Sequence, residues 1–183
     1  MSNVSSVLDG LDDNQAFYDP SSDTAAPKKV IGEGTYNAVV QSLTIKRDVV
    51  VKGKYLSDIF EAVYKIDDER HSDLKGREVK SKGYFRFKTP DKKKYPNLDD
   101  NQGQNKGYMI FSEACGFDME KNEQGKYVLP MLMEGDIAGN PVNIKVIHDK
   151  WTDNSGEERI TPLAINVFKS DKAPALKAED LPF

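Results

Sequence analysis

The chain reads as an all-β domain with one short helix, and three observations predict it. Side chains alternate between apolar and polar over 35–46, 55–66 and 79–88, with many β-branched and aromatic residues. One run, Tyr108 to Cys115, packs apolar residues without alternation and stops at Gly116. Two further alternating segments, 141–151 and 159–168, flank a turn-rich loop. Period-2 alternation marks a half-buried strand, and a compact apolar run closed by glycine marks a short buried helix.

Taken in order, residues 1–31 form a flexible arm by composition. Ser, Asp, Asn and Pro dominate it, as in Asp19-Pro20-Ser21-Ser22-Asp23, and Val4, Val7, Leu8, Leu11 and Phe17 are too few to offset the entropy of ordering a domain. The arm either stays a solubilising terminus or docks Val7-Leu8 and Phe17-Tyr18 on a neighbour. The folded domain is expected over 32–168. Its first strand runs from Thr35 to Lys46, and a turn around Gly53 leads into the second, Tyr55 to Ile66. That strand sets Leu56, Phe60, Ala62, Tyr64 and Ile66 against Tyr55, Ser57, Glu61 and Lys65. Polar loop residues (Asp67-Asp68-Glu69, His71-Ser72-Asp73) and the turn Leu74-Lys75-Gly76-Arg77 precede a third strand, Val79 to Lys88, which completes a meander. Tyr95 to Gly107, with its clustered Pro, Asn, Asp and Gly, is a loop. A strand competes with the helix reading of Tyr108 to Cys115, but the length and the Ser112-Glu113-Ala114 interior favour helix. Gly116 to Gly139 is an irregular connection containing the apolar piece Tyr127 to Met133.

Pro141 to Trp151 and Arg159 to Phe168 pair as a hairpin, with Val142, Ile144 and Val146 on one face and Asn143, Lys145 and Ile147 on the other. Trp151, at its mouth beside Lys150, is either exposed or packed on the loop as a minor core. Three strands, a helix and two strands is the order of the OB-fold, a five-stranded Greek-key barrel whose strand 2–3 face and loops between strands 1 and 2 and between 4 and 5 bind oligonucleotides and oligosaccharides. A tail, 169–183, follows.

Composition narrows the function. With 26 Lys and Arg against 30 Asp and Glu the net charge is −4, which excludes a uniformly basic binder, so the sign must be distributed. From Val79 to Tyr95 there are seven Lys or Arg against the single Asp91, while the start and end are acidic. The one cysteine, Cys115, follows an apolar run and reads as a buried thiol more than a nucleophile, and no intramolecular disulfide is possible. His71 and His148 have no metal-ligand spacing with it, so neither metal nor cofactor is expected. No leader and no run near the roughly 18 apolar residues of a membrane span is present, so a soluble cytoplasmic protein with no membrane partner is expected.

The third strand carries the functional signal. Its alternation places Lys80, Lys82, Tyr84, Arg86 and Lys88 on one face and Val79, Ser81, Gly83, Phe85 and Phe87 on the other. Cations with a ring among them suit a polyanion with flat bases, since Lys and Arg neutralise phosphates and a Tyr stacks on any base. A merely solvated cationic face is the plain alternative. The loop after it adds Lys92, Lys93, Lys94 and Tyr95, the loop between strands 1 and 2 adds Lys46, Arg47, Lys52 and Lys54, and the last hairpin adds Lys150 and Trp151.

The tail ends Glu179-Asp180-Leu181-Pro182-Phe183. A Phe whose ring and carboxylate lie together can enter a partner's pocket and pair with its Lys or Arg, or else it folds back on the barrel. This tip resembles the acidic C-terminal peptide of bacterial single-stranded DNA-binding proteins, although Leu181 stands where Ile is usual and only Glu179 and Asp180 precede it. Residues 32–168, through Gly34-Thr35-Tyr36-Asn37-Ala38-Val39, the Leu74 to Arg77 turn and the Tyr108 to Gly116 segment, resemble bacteriophage single-stranded DNA-binding proteins. The resemblance implies a non-enzymatic, sequence-independent binder of single-stranded DNA that acts in replication, recombination and repair in a bacterial host and recruits other such proteins through its tip, with a homo-oligomer open. The alternatives are a metal-dependent nuclease using Asp58 and Glu61 near Lys65, whose two carboxylates fall on opposite strand faces, and a virion or scaffold protein without DNA binding.

Overall fold

A computed structural model describes residues 30–100 and 104–172; the expected arm up to residue 29 and the tail from 173, with its tip Glu179 to Phe183, lie outside the described residues. From Ile31 on, the described residues belong to one compact unit. Its long first strand, β1 (Gly34–Val51), pairs along its start with β7 (Pro141–Thr152) and from Ala38 onward with β2 (Tyr55–Ile66). Register shifts between Val40 and Ser42 and between Lys46 and Val49 bend it, which is how one strand serves two neighbours around a closed sheet. The hairpin from β1 to β2 turns at Lys52 and Gly53, whose φ values of 53° and 66° are both left-handed, and Lys54 N–H closes the turn on Val51 C=O at 3.1 Å. Two positive φ values define the type I′ turn that matches strand twist.

Closure comes from β3 (Glu78–Ser81), which pairs antiparallel with β2 and parallel with β8 (Glu158–Lys169), while β8 pairs with β7. The circuit β1-β2-β3-β8-β7-β1 is a five-stranded barrel of the OB type, with the helix α1 (Lys106–Ala114) between its third and fourth strands. Val142, Ile144 and Val146 point into it as expected. So do Leu43, Phe60, Ala62, Tyr64 and Ile66, all 2% exposed or less. Tyr108 and Phe111 of α1 plug the open end, with Tyr108 against Phe60 at 4.6 Å between ring centroids. Gly116, at φ 91°, terminates the helix, the backbone form that favours glycine. Cys115 is 1% exposed, and burial pushes its thiol up to about 12. The connection that follows holds a small hairpin, β5 (Glu120–Lys121) with β6 (Tyr127–Val128), and one turn of helix, α2 (Glu134–Ile137).

Two departures from the sequence reading bear on function. The polar loop after β2 is a 3-10 turn, Glu69–Leu74, organised by the buried Asp68. Its carboxylate accepts from Asn37 N–H at 3.0 Å and from the Arg70 guanidinium at 2.7 and 2.9 Å, and these bonds from Arg70 hold it well below the usual carboxylate range. The third strand, expected as one run over 79–88, is two. It breaks at Lys82-Gly83, and β4 (Tyr84–Lys88) leaves β8 to pair with the first half of β2. Gly83 has φ 92°, a conformation that side chains resist, and it resets the alternation. Beyond it the even-numbered side chains turn inward.

Candidate nucleic-acid interface

The inward turn removes three residues from the expected cationic track. Tyr84 is buried at 8% exposure, its ring stacked on Phe111 and its hydroxyl 2.8 Å from that of Tyr64, so it cannot stack on a base. Burial pushes its phenol up. Opposite Arg86 in the register lies Asp58, 1% exposed and inside the barrel. Lys88 Nζ reaches its carboxylate at 2.8 Å, Arg47 at 3.3 Å and Arg86 at 3.9 Å, and Asp48 N–H donates to it at 3.1 Å. Burial would raise the Asp58 carboxyl, but the hydrogen bonds from Lys88 and Asp48 and the charges of Lys88 and Arg47 outweigh it and hold the group below the usual range. Lys88 also bonds Asp48 at 2.5 Å. Arg47, expected in a solvent-facing basic loop, instead lies with Asp58 and against Met131 Sδ at 2.9 Å. Arg47, Arg86 and Lys88 are therefore drawn onto two carboxylates, Asp58 and Asp48, because a buried anion recruits the cations its neighbouring strands supply.

The same register shift brings other rings to the surface. Phe87 lies opposite the fully buried Ser57 and Phe85 opposite Ile59, and both phenylalanines are half-buried on the side of the sheet away from Asp58. Their rings are 5.9 Å apart and 18° from parallel, and Tyr55 meets Phe87 edge-on at 6.1 Å. Lys46 lies opposite Ile59 on β1, so Lys46, Ile59 and Phe85 form one row across three strands. Lys46 pairs with the exposed Glu61 at 2.8 Å. Asp58 and Glu61 thus occupy opposite faces, each with its own cations. Lys80 and Lys82 stay exposed on β3 and just after it, with no carboxylate partner among the described residues, and the same holds for Lys52 and Lys54 at the β1–β2 turn.

The loop after β4 is strapped down. Asp99 N–H bonds Lys54 C=O at 2.7 Å, Lys92 Nζ bonds Leu98 C=O, and Lys93 N–H bonds Asp91 at 2.9 Å. Lys94 sits over the Tyr95 ring at 5.0 Å, so that pair partly satisfies itself. On the last hairpin Trp151 is 50% exposed, its Nε1–H donating to Thr161 Oγ1 at 3.0 Å, and Lys150 is exposed beside it. Asp153 organises the hairpin loop by accepting from Ser155 and Glu157 N–H groups and from Arg159. Hydrogen bonds from Ser155 and Arg159 hold its carboxyl down to about 2.

The candidate interface is thus an aromatic face, Tyr55, Phe87 and Phe85, flanked by Lys46, Lys80 and Lys82, on the strand 2–3 side of an OB-type barrel. Sequence reasoning assigned the two phenylalanines to the core. The signal that could have found them is Gly83, since an isolated glycine within a strand pattern marks a bulge that swaps faces. Among the described residues no three His, Cys, Asp or Glu gather in a metal-binding group, and no helix is long and apolar enough to cross a membrane. A scan of protein-family models and a search of curated proteins found no match to this chain.

Proposed function

We propose that this protein binds single-stranded DNA without sequence specificity over most of its contact track, in phage DNA replication, recombination or repair. The observation that carries the reading is the row of half-buried rings, Tyr55, Phe87 and Phe85, on the face that OB barrels use for nucleic acid, beside lysines without a carboxylate partner among the described residues. Partly exposed rings on an otherwise charged surface suit unstacked bases, worth about 1–3 kcal/mol for each base stacked, while lysines at the margin follow the phosphates. With Arg86 and Lys88 drawn to Asp58 and Lys46 paired with the exposed Glu61, Lys80, Lys82, Lys52 and Lys54 are the phosphate contacts, with Lys150 and Trp151 extending the track. The tip Glu179 to Phe183 would recruit replication or repair proteins, and its removal should leave DNA affinity unchanged or higher.

Fluorescence anisotropy with labelled oligo-dT and a duplex of equal length tests the reading. Oligo-dT should bind much more tightly, and with about four phosphates neutralised log affinity should fall with log salt at a slope near −3. Equal affinity for duplex and single strand, or no binding of oligo-dT at low salt, removes the reading.

A further inference from the structure

The barrel wall opens between the free edge of β4 and the part of β8 that runs on past β3. Parallel pairing of β3 with β8 ends at Ser81 and Ala164, and Lys82 N–H makes one more bond to Ala164 C=O at 3.0 Å. Then β4 follows β2 and β8 follows β7, and α1 stands behind the gap. On the outer edge of β4 the Asn105 side chain accepts from Phe87 N–H at 2.7 Å and donates to Phe87 C=O at 3.1 Å, as a neighbouring strand would. What remains is a cavity of ≈ 220 Å³, walled by Phe85, Phe87, Ile110 and Val167, with Gln104 and Asn166 also lining it. Sites for drug-sized ligands run to roughly 300–1,000 Å³. This one therefore has room for a single flat ring system and not for a whole nucleotide.

Its chemistry is that of a base pocket. The walls are apolar and the near-parallel Phe85 and Phe87 rings make one of them flat. The amides of Gln104 and Asn166 have no side-chain partner among the described residues, and each offers two donors and an acceptor. Lys82, exposed and unpaired by any carboxylate among the described residues, lines the same cavity and can hold the adjoining phosphate. Gly107 lines it too, in the first turn of α1, where a Cβ would meet nothing within 4 Å. Almost any other residue would favour the helix. Neither packing nor backbone requires glycine there, and its effect is to keep the opening clear.

We infer that this cavity receives one unstacked base of the bound strand, its edge held by hydrogen bonds to the Asn166 and Gln104 amides. The inference rests on the single-strand reading and deepens it. The outer aromatic face stacks bases in the open, whereas the two amides hold the edge of one base in the cavity.

The test uses the full chain and anisotropy on short oligo-dT carrying one central adenine, one central abasic site, or neither. The adenine oligonucleotide and plain oligo-dT should each bind at least about fivefold more tightly than the abasic one. Asn166→Ala should shrink that ratio to less than about twofold, and Gly107→Leu should do the same by filling the cavity while improving the helix, so thermal stability is kept or raised. If no oligonucleotide binds, the single-strand reading fails. If oligo-dT binds but all three oligonucleotides are equal, or the ratio survives in both variants, the cavity has no such role and the reading stands.

Discussion

Tyr84 lies flat on Phe111 inside the barrel, the two ring centroids 4.1 Å apart and the planes within 5° of parallel. The next odd-numbered ring, Phe85, faces outward. One glycine separates these fates, and the contrast can be measured. Tyr84→Phe loses only the hydroxyl that pairs with Tyr64 at 2.8 Å, so it should cost about 1 kcal/mol of stability and leave oligo-dT affinity unchanged. Phe87→Ala, which removes a half-buried ring packed on Tyr55 and Phe85, should cost about 1–2 kcal/mol of stability and weaken oligo-dT binding by about 1–3 kcal/mol. Urea denaturation and anisotropy on the same two variants check both halves. Weakened binding by Tyr84→Phe alone would reverse the assignment of the face.

Asp58 is the anion on which the inner cations depend. Replacing it with alanine leaves Lys88 and Arg86, only 25% and 20% exposed, without their shared partner. Breaking a buried pair by removing one member costs about 3–5 kcal/mol; the partial exposure of these cations puts the expected loss near the lower end, measurable by urea denaturation. Asp58→Asn, which keeps an oxygen for Lys88, should cost less.

The same carboxylate predicts the acid limb of stability. Asp58 and Asp68 both have folded-state values below their unfolded ones, so at low pH the unfolded chain binds more protons than the folded one. Their contribution is complete above the unfolded carboxylate range near 4 and is lost as pH falls through it toward the lower folded values. Thermal melts between about pH 6 and pH 2 should show a falling midpoint below roughly pH 4, and Asp58→Asn should flatten that fall.

Gly83 should be intolerant of substitution for a backbone reason. At φ 92° an added Cβ meets Ile59 Cγ2 at 3.5 Å and Glu61 Cγ and the Phe60 carbonyl oxygen at 3.9 Å, all ordinary contacts, so conformation and not crowding is the obstacle. Gly83→Ala should destabilise by about 1–2 kcal/mol. A neutral result by chemical denaturation would mean that the break between β3 and β4 is set by something other than this glycine.

Trp151 gives a direct optical readout, being the one tryptophan of the chain and 50% exposed. Its fluorescence should be quenched by acrylamide in the free protein, and oligo-dT should quench it and shield it from acrylamide. An unchanged spectrum at saturating oligo-dT would place the last hairpin off the DNA track.

The order of elements was legible in the sequence because local chemistry sets it. Alternation over Tyr55 to Ile66 and Pro141 to Trp151, the apolar run closed by Gly116, and the Lys52-Gly53 turn each act within a few residues, and the structure has a strand, a strand, a helix and a turn at those places. The faces of the third strand were not legible. Alternation assigns faces only if the strand is continuous, and whether it crosses from β8 to the first half of β2 depends on partners distant in sequence. Nor could charge patterning distinguish Lys80 from Lys88, since each is a lysine in the same run. A carboxylate 30 residues upstream, carried inside the barrel by β2, pairs with Lys88 and leaves Lys80 in solvent. Short-range periodicity and turn chemistry thus determined that the chain forms this barrel. Only the closed sheet, by bringing Asp58 under Arg86 and Lys88 and turning Phe85 and Phe87 outward, decided which side chains its surface offers.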